Sequence, residues 1–431
     1  MRLTALHFFY LMLIAIYVFG FQYVPAQDFP NLLYQGHIFN QLVFHGNNFN
    51  GIFFLYPYIP PNVVSTVVIA IFDLISDPIF SGKLYLLLLG VSLYWGINRY
   101  IKSFAIRNHM LIATLAFFLT FNLHYLAGYL NFITGLAFVL HALANLRNNS
   151  KLEENLWYLG SMMLIAYFCH FIALVIFVLY LLVNFVTKKN YVMIIRSLAA
   201  ALPTIILFAQ YLIARTITIL PESAGKAEQG IPEITLGQSL NFFRVFIPFH
   251  HFKWVTELPP SVIALDYIFS VIVLVGCSIL LINCIRQKKY PITFWLAGIS
   301  LLLSILLPTY IGGVLLPGER FVIFCLVNTT ILFLSRKTSA LQLRLLLSSV
   351  FILGICGIGY NYYNEYRFNT MVASNIIPQD AIYRSRTKQE GTNGFLHFHF
   401  YDDIRAGNAV PFFNTGILSY ADSIKKSNSE Q

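Results

Sequence analysis

Runs of about 18 or more residues with few or no charges recur along this chain, and they constrain its fold more than any motif does. A helix needs roughly that length to cross a hydrocarbon core about 30 Å thick. Inside such a core the backbone has no water to bond, so each run must close its own hydrogen bonds as a helix. The runs are solidly apolar and lack the alternation of a barrel strand. Composition agrees: of 431 residues, 58% are hydrophobic and 11% are charged, too little charge to cover a water-soluble surface of this size. The expected fold is an all-α polytopic membrane protein.

Apolar segments fall at about 4–24, 84–101, 109–123, 126–146, 155–170, 171–187, 193–215, 262–285, 290–309, 319–335 and 343–360, which makes about eleven spans. The stretch 155–187 is too long for one helix at about 1.5 Å per residue, and it is split at Cys169 and His170. The shorter piece 62–77 carries Asp73 and Asp77 and is expected to be a half-buried helix on the outer surface. The run at 4–24 is long for the apolar core of a signal peptide and is expected to remain as the first span.

The formal net charge is +10, but the basic residues are spread over short connections rather than gathered into a nucleic-acid surface. Arg99, Lys102 and Arg107 share one connection, Arg147 and Lys151 the next, then Lys188, Lys189 and Arg196, then Arg286, Lys288 and Lys289, then Arg336, Lys337 and Arg344. All five are mutually consistent as cytoplasmic loops. Residues 25–60 contain no Lys or Arg, which puts that loop outside, together with 216–260 and the tail from 361 onward. The N-terminus is then cytoplasmic and the C-terminus extracytoplasmic. This divides the chain into a membrane domain, 1–360, with outer loops at about 25–83 and 216–260, and an outer C-terminal region, 361–431. Loops this long usually carry function. Cys169, Cys277, Cys284, Cys325 and Cys356 all lie in apolar runs, which points to packing rather than to a disulfide framework or a zinc site.

Asp28, in Val24-Pro25-Ala26-Gln27-Asp28-Phe29-Pro30, is the first acid and stands where the first span leaves the membrane. A carboxylate at that depth is partly desolvated, which suits a base, a cation ligand or the partner of an Arg; the same position also suits a helix N-cap. Glu319 and Arg320 lie at the lip of a late span. There a guanidinium can take a phosphate through two hydrogen bonds, or snorkel to the interface beside Glu319. Arg244, His250, His251 and Lys253 are interleaved with aromatic residues in the second outer loop, a pattern for a lipid or sugar platform or for interfacial anchoring. His170 reads as a buried ionisable group in mid-membrane, either functional or held neutral by a neighbouring helix. His397 and His399 with Asp402 and Asp403 have the spacing of a weak metal site or of a solvated tail.

The layout, a long first outer loop that opens with an acid just after span 1 and then many further spans, resembles the GT-C superfamily of multispan membrane glycosyltransferases. Within it, poorly characterised bacterial members are the nearer likeness. The resemblance rests on Gln27-Asp28-Phe29-Pro30, Pro61-Asn62, Gly128-Tyr129-Leu130-Asn131-Phe132 with Gly135, Tyr167-Phe168-Cys169-His170, and Gly318-Glu319-Arg320-Phe321. It implies a bacterial inner-membrane enzyme that moves a sugar from a polyprenyl-phosphate-linked donor to an acceptor glycan, lipid or protein on the extracytoplasmic face. Asp28 would be the general base, and Arg320, Glu319, His37, His170, Arg244, His250 and His251 would line the substrate. Membrane lipid is a further partner, and a divalent cation stays open as a cofactor. Two features depart from the family: there is no Asp-Glu pair in the first loop, and Asn31 stands where relatives often carry a His. The rival readings are a transporter or flippase of a lipid-linked saccharide, which would want charges in mid-span and broken helices, and a noncatalytic scaffold that binds a partner through the tail.

Overall fold

The computed structural model describes residues 3–21, 24, 29–46, 53–55, 60–218, 260–307, 310–311, 314–315, 317–335, 355–356, 358–360, 362–363, 366 and 418–420. In chain order the elements are α1 (Leu3–Phe19), α2 (Phe29–Phe44), β1 (Phe53–Leu55), α3 (Val64–Phe72), α4 (Pro78–Lys102), α5 (His109–Thr120), α6 (Leu123–Leu126), α7 (Leu130–Asn148), α8 (Lys151–Glu154), α9 (Leu156–Cys169), α10 (Phe171–Thr187), α11 (Tyr191–Ala200), α12 (Leu202–Thr218), α13 (Pro260–Arg286), α14 (Ile292–Leu306), β2 (Tyr310–Ile311), β3 (Val314–Leu315), α15 (Pro317–Leu334) and β4 (Leu418–Tyr420). The expectation of an all-helical chain is modified by two short antiparallel ladders, β1 with β4 and β2 with β3. The first of these joins the first long loop to the C-terminal region.

Polar residues interrupt an otherwise apolar chain at the ends of helices, where backbone N–H groups lack intrahelical partners. Asp77 caps α4 by accepting from the N–H groups of Ile79 and Phe80, both at 3.0 Å, ahead of Pro78 in the first turn. Asn108, Asn122, Asn155 and Asn190 do the same for α5, α6, α9 and α11. The break expected at Cys169 and His170 is present: α9 ends at Cys169, and the His170 Nδ1 accepts from the Ile172 N–H at 3.0 Å to cap α10. The piece expected as one helix over 62–77 is the shorter α3, and α4 begins at Pro78, earlier than hydropathy places it.

α4, α7 and α15 are each long and apolar enough to cross a membrane, and α11 with α12, bent by 52°, makes a fourth such unit. Among the described residues, six further apolar helices are shorter. Large apolar side chains such as Ile195, Leu198, Ile272 and Leu306 stand exposed on the outside of the bundle, an arrangement suited to lipid and not to water. The fold is that of a helical membrane protein.

The ends of α4, α7 and α10 come together at one end of the bundle. Arg99 of α4 meets Asn145 of α7 at 2.8 Å, and the Arg147 guanidinium lies 3.6 Å from the Phe104 ring centroid. Lys188 bonds Glu153, so these basic connections share one end. At the other end stand the starts of α4, α7, α10 and α15. In between, aromatic and hydroxyl side chains join helices that gain little hydrophobic drive from one another in lipid. The Tyr10 ring stacks on Phe117 at 4.4 Å while its hydroxyl pairs with Thr114 at 2.8 Å, and the Tyr100 hydroxyl donates to the Asn328 Oδ1 at 3.2 Å. The cysteines are free, and all but Cys356 are buried.

Candidate functional site

The end of the bundle opposite the basic connections gathers three segments that are far apart in the chain. In the turn between α5 and α7, Asn122 accepts from the N–H groups of His124 and Tyr125 and so fixes His124 in a fully buried position. The His124 Nε2 lies 3.2 Å from the Glu319 carbonyl oxygen in the first turn of α15. That oxygen can only accept, so Nε2 carries the proton and Nδ1 is left as an acceptor. Nδ1 is buried and has no hydrogen-bond partner among the described residues.

The rings of Tyr129 and Phe132 stand 5.6 Å and 5.0 Å from His124. His170 meets Phe132 edge-on at 5.4 Å. Over the same two rings sits Arg320, its guanidinium carbon 5.2 Å from the Tyr129 centroid and 5.9 Å from that of Phe132, within reach of cation–π attraction. Two glycines allow this approach. A Cβ on Gly135 would stand 2.5 Å from the Ala173 Cβ and 3.2 Å from that of Cys169, so only a bare backbone lets α7 lie against the break at His170. A Cβ on Gly318 would meet the Ser304 carbonyl oxygen at 2.7 Å, so the start of α15 can tuck under the end of α14 only without a side chain there.

Both histidines lie in connections outside the helical spans. Burial, with the Arg320 guanidinium nearby, pushes His124 down to about 3, against which the bond to the Glu319 carbonyl works. Burial, then Arg320, then His124 hold His170 well below the ordinary histidine range. Both rings are therefore neutral near pH 7 and offer hydrogen bonds rather than charge.

The first long loop is bonded onto this cluster. α3 has no side-chain cap of its own; the Val63 N–H donates to the Phe168 carbonyl at 2.9 Å, and the Ser65 N–H donates to the Asn131 Oδ1 at 3.2 Å. The open donors of one helix thus dock it on residues adjoining His170 and Phe132. The Ser65 hydroxyl also pairs with the Tyr85 hydroxyl at 3.0 Å. α2 packs along α3 and the start of α4, with Phe29 buried and close to Gly82, and it begins at the residue after Asp28. Strand β4 of the C-terminal region pairs with β1 of the same loop, Phe53 opposite Tyr420, and the Tyr362 ring lies 4.7 Å from Phe21 at the end of α1.

Of the residues singled out from the sequence, Glu319, Arg320 and His170 are brought together. His170 is not in the middle of a span: the helix break that it caps sets it at the end of the bundle. His37 is elsewhere. Its Nδ1 is 2.8 Å from the Asp73 Oδ2, and Asp73 closes the end of α3 roughly 12 Å of helix beyond Ser65. Asp28, Arg244, His250, His251, Lys253, His397, His399, Asp402 and Asp403 lie outside the described residues. His124, Tyr129 and Phe132 were not chosen individually as site residues. The one local signal for His124 was its place beside Asn122 at a junction of two apolar runs. Comparison of the chain with protein-family models, with curated proteins and with solved structures finds no match.

Proposed function

We propose that this protein is a membrane glycosyltransferase of the GT-C type that moves a sugar from a polyprenyl-phosphate-linked donor to an acceptor on the extracytoplasmic face. The observation that carries this reading is the meeting of Tyr129 and Phe132, His170, and Glu319 with Arg320 at one end of the bundle, where the first loop is also docked. A cation above two aromatic faces, beside neutral imidazoles, is a chemical fit for a phosphate ester that adjoins a sugar ring.

In this reading the Asp28 carboxylate takes the proton of the acceptor hydroxyl as its oxygen attacks the anomeric carbon. The bond from that carbon to the phosphate oxygen breaks, and the electron pair leaves with the lipid phosphate, whose growing charge Arg320 offsets. The His124 Nδ1 would accept a sugar hydroxyl. His170 and Glu319 would line the substrate, joined by Arg244, His250 and His251 of the second outer loop. Asp28 would be the residue to hold a divalent cation, which would supply positive charge against the phosphate leaving group. With the four longer units, the six shorter apolar helices would make ten passes, and the run 343–360 an eleventh. The basic end would face the cytoplasm of a bacterial inner membrane, as the positive-inside rule requires.

The test is D28N in purified protein, given a panel of radiolabelled polyprenyl-phosphate sugars. Transfer and release of free lipid phosphate should both be lost while the protein still inserts and folds. Full retention of transfer removes Asp28 from the mechanism. Movement of intact donor across a vesicle membrane without phosphate release points instead to a flippase.

A further inference from the structure

A second set of polar groups lies at the opposite end of the bundle, among the basic connections. On α10, Tyr180, Asn184 and Lys188 follow one another at four-residue intervals, so they form a stripe on one face that leads out to the rim. Arg147, in the last turn of α7, stands across from it. Its guanidinium carbon lies 3.6 Å from the Phe104 ring centroid, and its charge and a long side-chain hydrogen bond reach the Tyr180 hydroxyl, short of ordinary hydrogen-bond geometry. The Tyr100 ring closes the inner side, 5.3 Å from Phe104 and 6.5 Å from Tyr180.

Three atoms here, the Arg147 Nε, the Tyr180 hydroxyl and the Asn184 Nδ2, are buried with no hydrogen-bond partner among the described residues. Tyr180 is wholly inaccessible and Asn184 is 3% exposed. Leaving such groups without a partner costs the full desolvation of each. Two of the three are obligate donors and the third can donate, so together they call for oxygen acceptors. Lys188 stands at the mouth and donates to both oxygens of Glu153, at 2.8 Å and 2.7 Å. With Arg147 and Lys188 positive and Glu153 negative, the group carries one net positive charge. The C-terminal ends of α7 and α10 add partial negative charge, so an anion is held here only while both cations are present. Stacking on Phe104 and the pull of the α7 C-terminus account for where Arg147 sits, but they provide no acceptor for Asn184 or Tyr180.

We propose that Arg147, Tyr180 and Asn184, with Lys188 at the mouth, bind a phosphate group at this end of the bundle. The source is either the headgroup of an anionic phospholipid that enters from the surrounding leaflet or a free phosphate from solution. Basic recesses between helices at the membrane surface hold lipid headgroups in this way. The site is separate from the one at the other end and does not depend on the transferase reading.

The purified full-length protein in a neutral detergent provides the test. Its thermal unfolding midpoint is followed while phosphatidylglycerol, phosphatidylcholine or inorganic phosphate is added. A rise with phosphatidylglycerol but with neither of the others marks the lipid as the source; a rise with inorganic phosphate marks a soluble anion. In both cases R147Q should weaken the apparent affinity about tenfold or more, and Y180F and N184L, which remove one hydrogen bond and no charge, should weaken it by smaller factors. R196Q, which removes an exposed charge from the same end, should leave the affinity unchanged. Equal rises with phosphatidylcholine and phosphatidylglycerol, equal responses in wild type, Y180F and N184L, or a loss in R196Q as large as in R147Q would each overturn the proposal. Y180F and N184L keep the test open if R147Q fails to fold.

Discussion

At one end of the bundle a cluster of ionisable side chains is inside: His124 and His170 are buried, Glu319 is buried in the first turn of α15, and Arg320 stacks over Tyr129 and Phe132. At the other end most of them are outside. Lys188 is half exposed in its pair with Glu153, Arg196 is exposed, and Arg99 and Lys102 sit at a helix terminus. The difference lies in the surroundings of the charge. An exposed ion pair is screened by water and salt and is worth at most about 1 kcal/mol, so the outer residues of the basic end keep their ordinary charge whatever the packing around them. A buried imidazole next to a guanidinium cannot be screened, and its protonation state is set by the fold. That is the setting in which chemistry is done, and it explains why the proposed reaction is assigned to the His124 end.

The largest effect that would sharpen this contrast is catalytic. R320A should lower the initial rate of lipid-phosphate release by about 10²–10³, the usual loss when one charge-stabilising group is removed. R320K should recover part of it, and R196A at the other end should change nothing. Comparable losses in R320A and R196A would erase the distinction between the ends.

A packing test follows. Because a Cβ at Gly318 would meet backbone and not a flexible side chain, G318A should destabilise the protein by about 1–3 kcal/mol. The effect should appear as a lower thermal midpoint with loss of donor binding, since the carbonyl that holds His124 moves with Gly318. An unchanged midpoint would mean that the close approach of α14 and α15 does not matter.

The pH dependence has a definite sign. His124 titrates near 6.5 when unfolded and is pushed down to about 3 in the fold, and His170 is shifted in the same direction. Between about 6.5 and 3 the unfolded chain therefore binds more protons than the folded one. Stability is highest above about 6.5 and falls as the pH drops through that window, by about 1.4 kcal/mol per unit for each fully titrating ring. Denaturation midpoints of wild type and H124F across pH 7 to 4 check this: the variant should have the shallower slope. Equal slopes would show that His124 contributes nothing. The smallest expected effect is at the basic end, where E153Q should cost less than about 1 kcal/mol and lose even that in high salt.

Several of these features could be read from the sequence and others could not. The break at His170 followed from length, because 33 apolar residues in one stretch exceed a single crossing, and the basic connections followed from composition. The structure brings several of those connections to one end. α2 escaped notice because Gln35, His37 and Asn40 interrupt its apolar run. Asn40 and His37 meet α3 and its end, where Asn40 bonds the Ala70 carbonyl and His37 pairs with Asp73, and Gln35 is buried. The family resemblance implies His37 along the substrate, but a partner 36 positions away holds it outside the cluster.

By itself the sequence determined that this is a helical membrane chain, where many of its helices break, and which connections carry the positive charge. Those properties are local, because hydropathy, capping and loop charge act over a few neighbouring residues. Only the tertiary structure decided that His124, Tyr129, Phe132, His170 and Arg320 share one place and that the first loop and the C-terminal region meet in a strand pair. A contact such as His124 with Glu319 spans 195 positions. It exists because helix faces and bare glycine backbones allow particular spans to touch, and no short stretch of sequence encodes which spans those are.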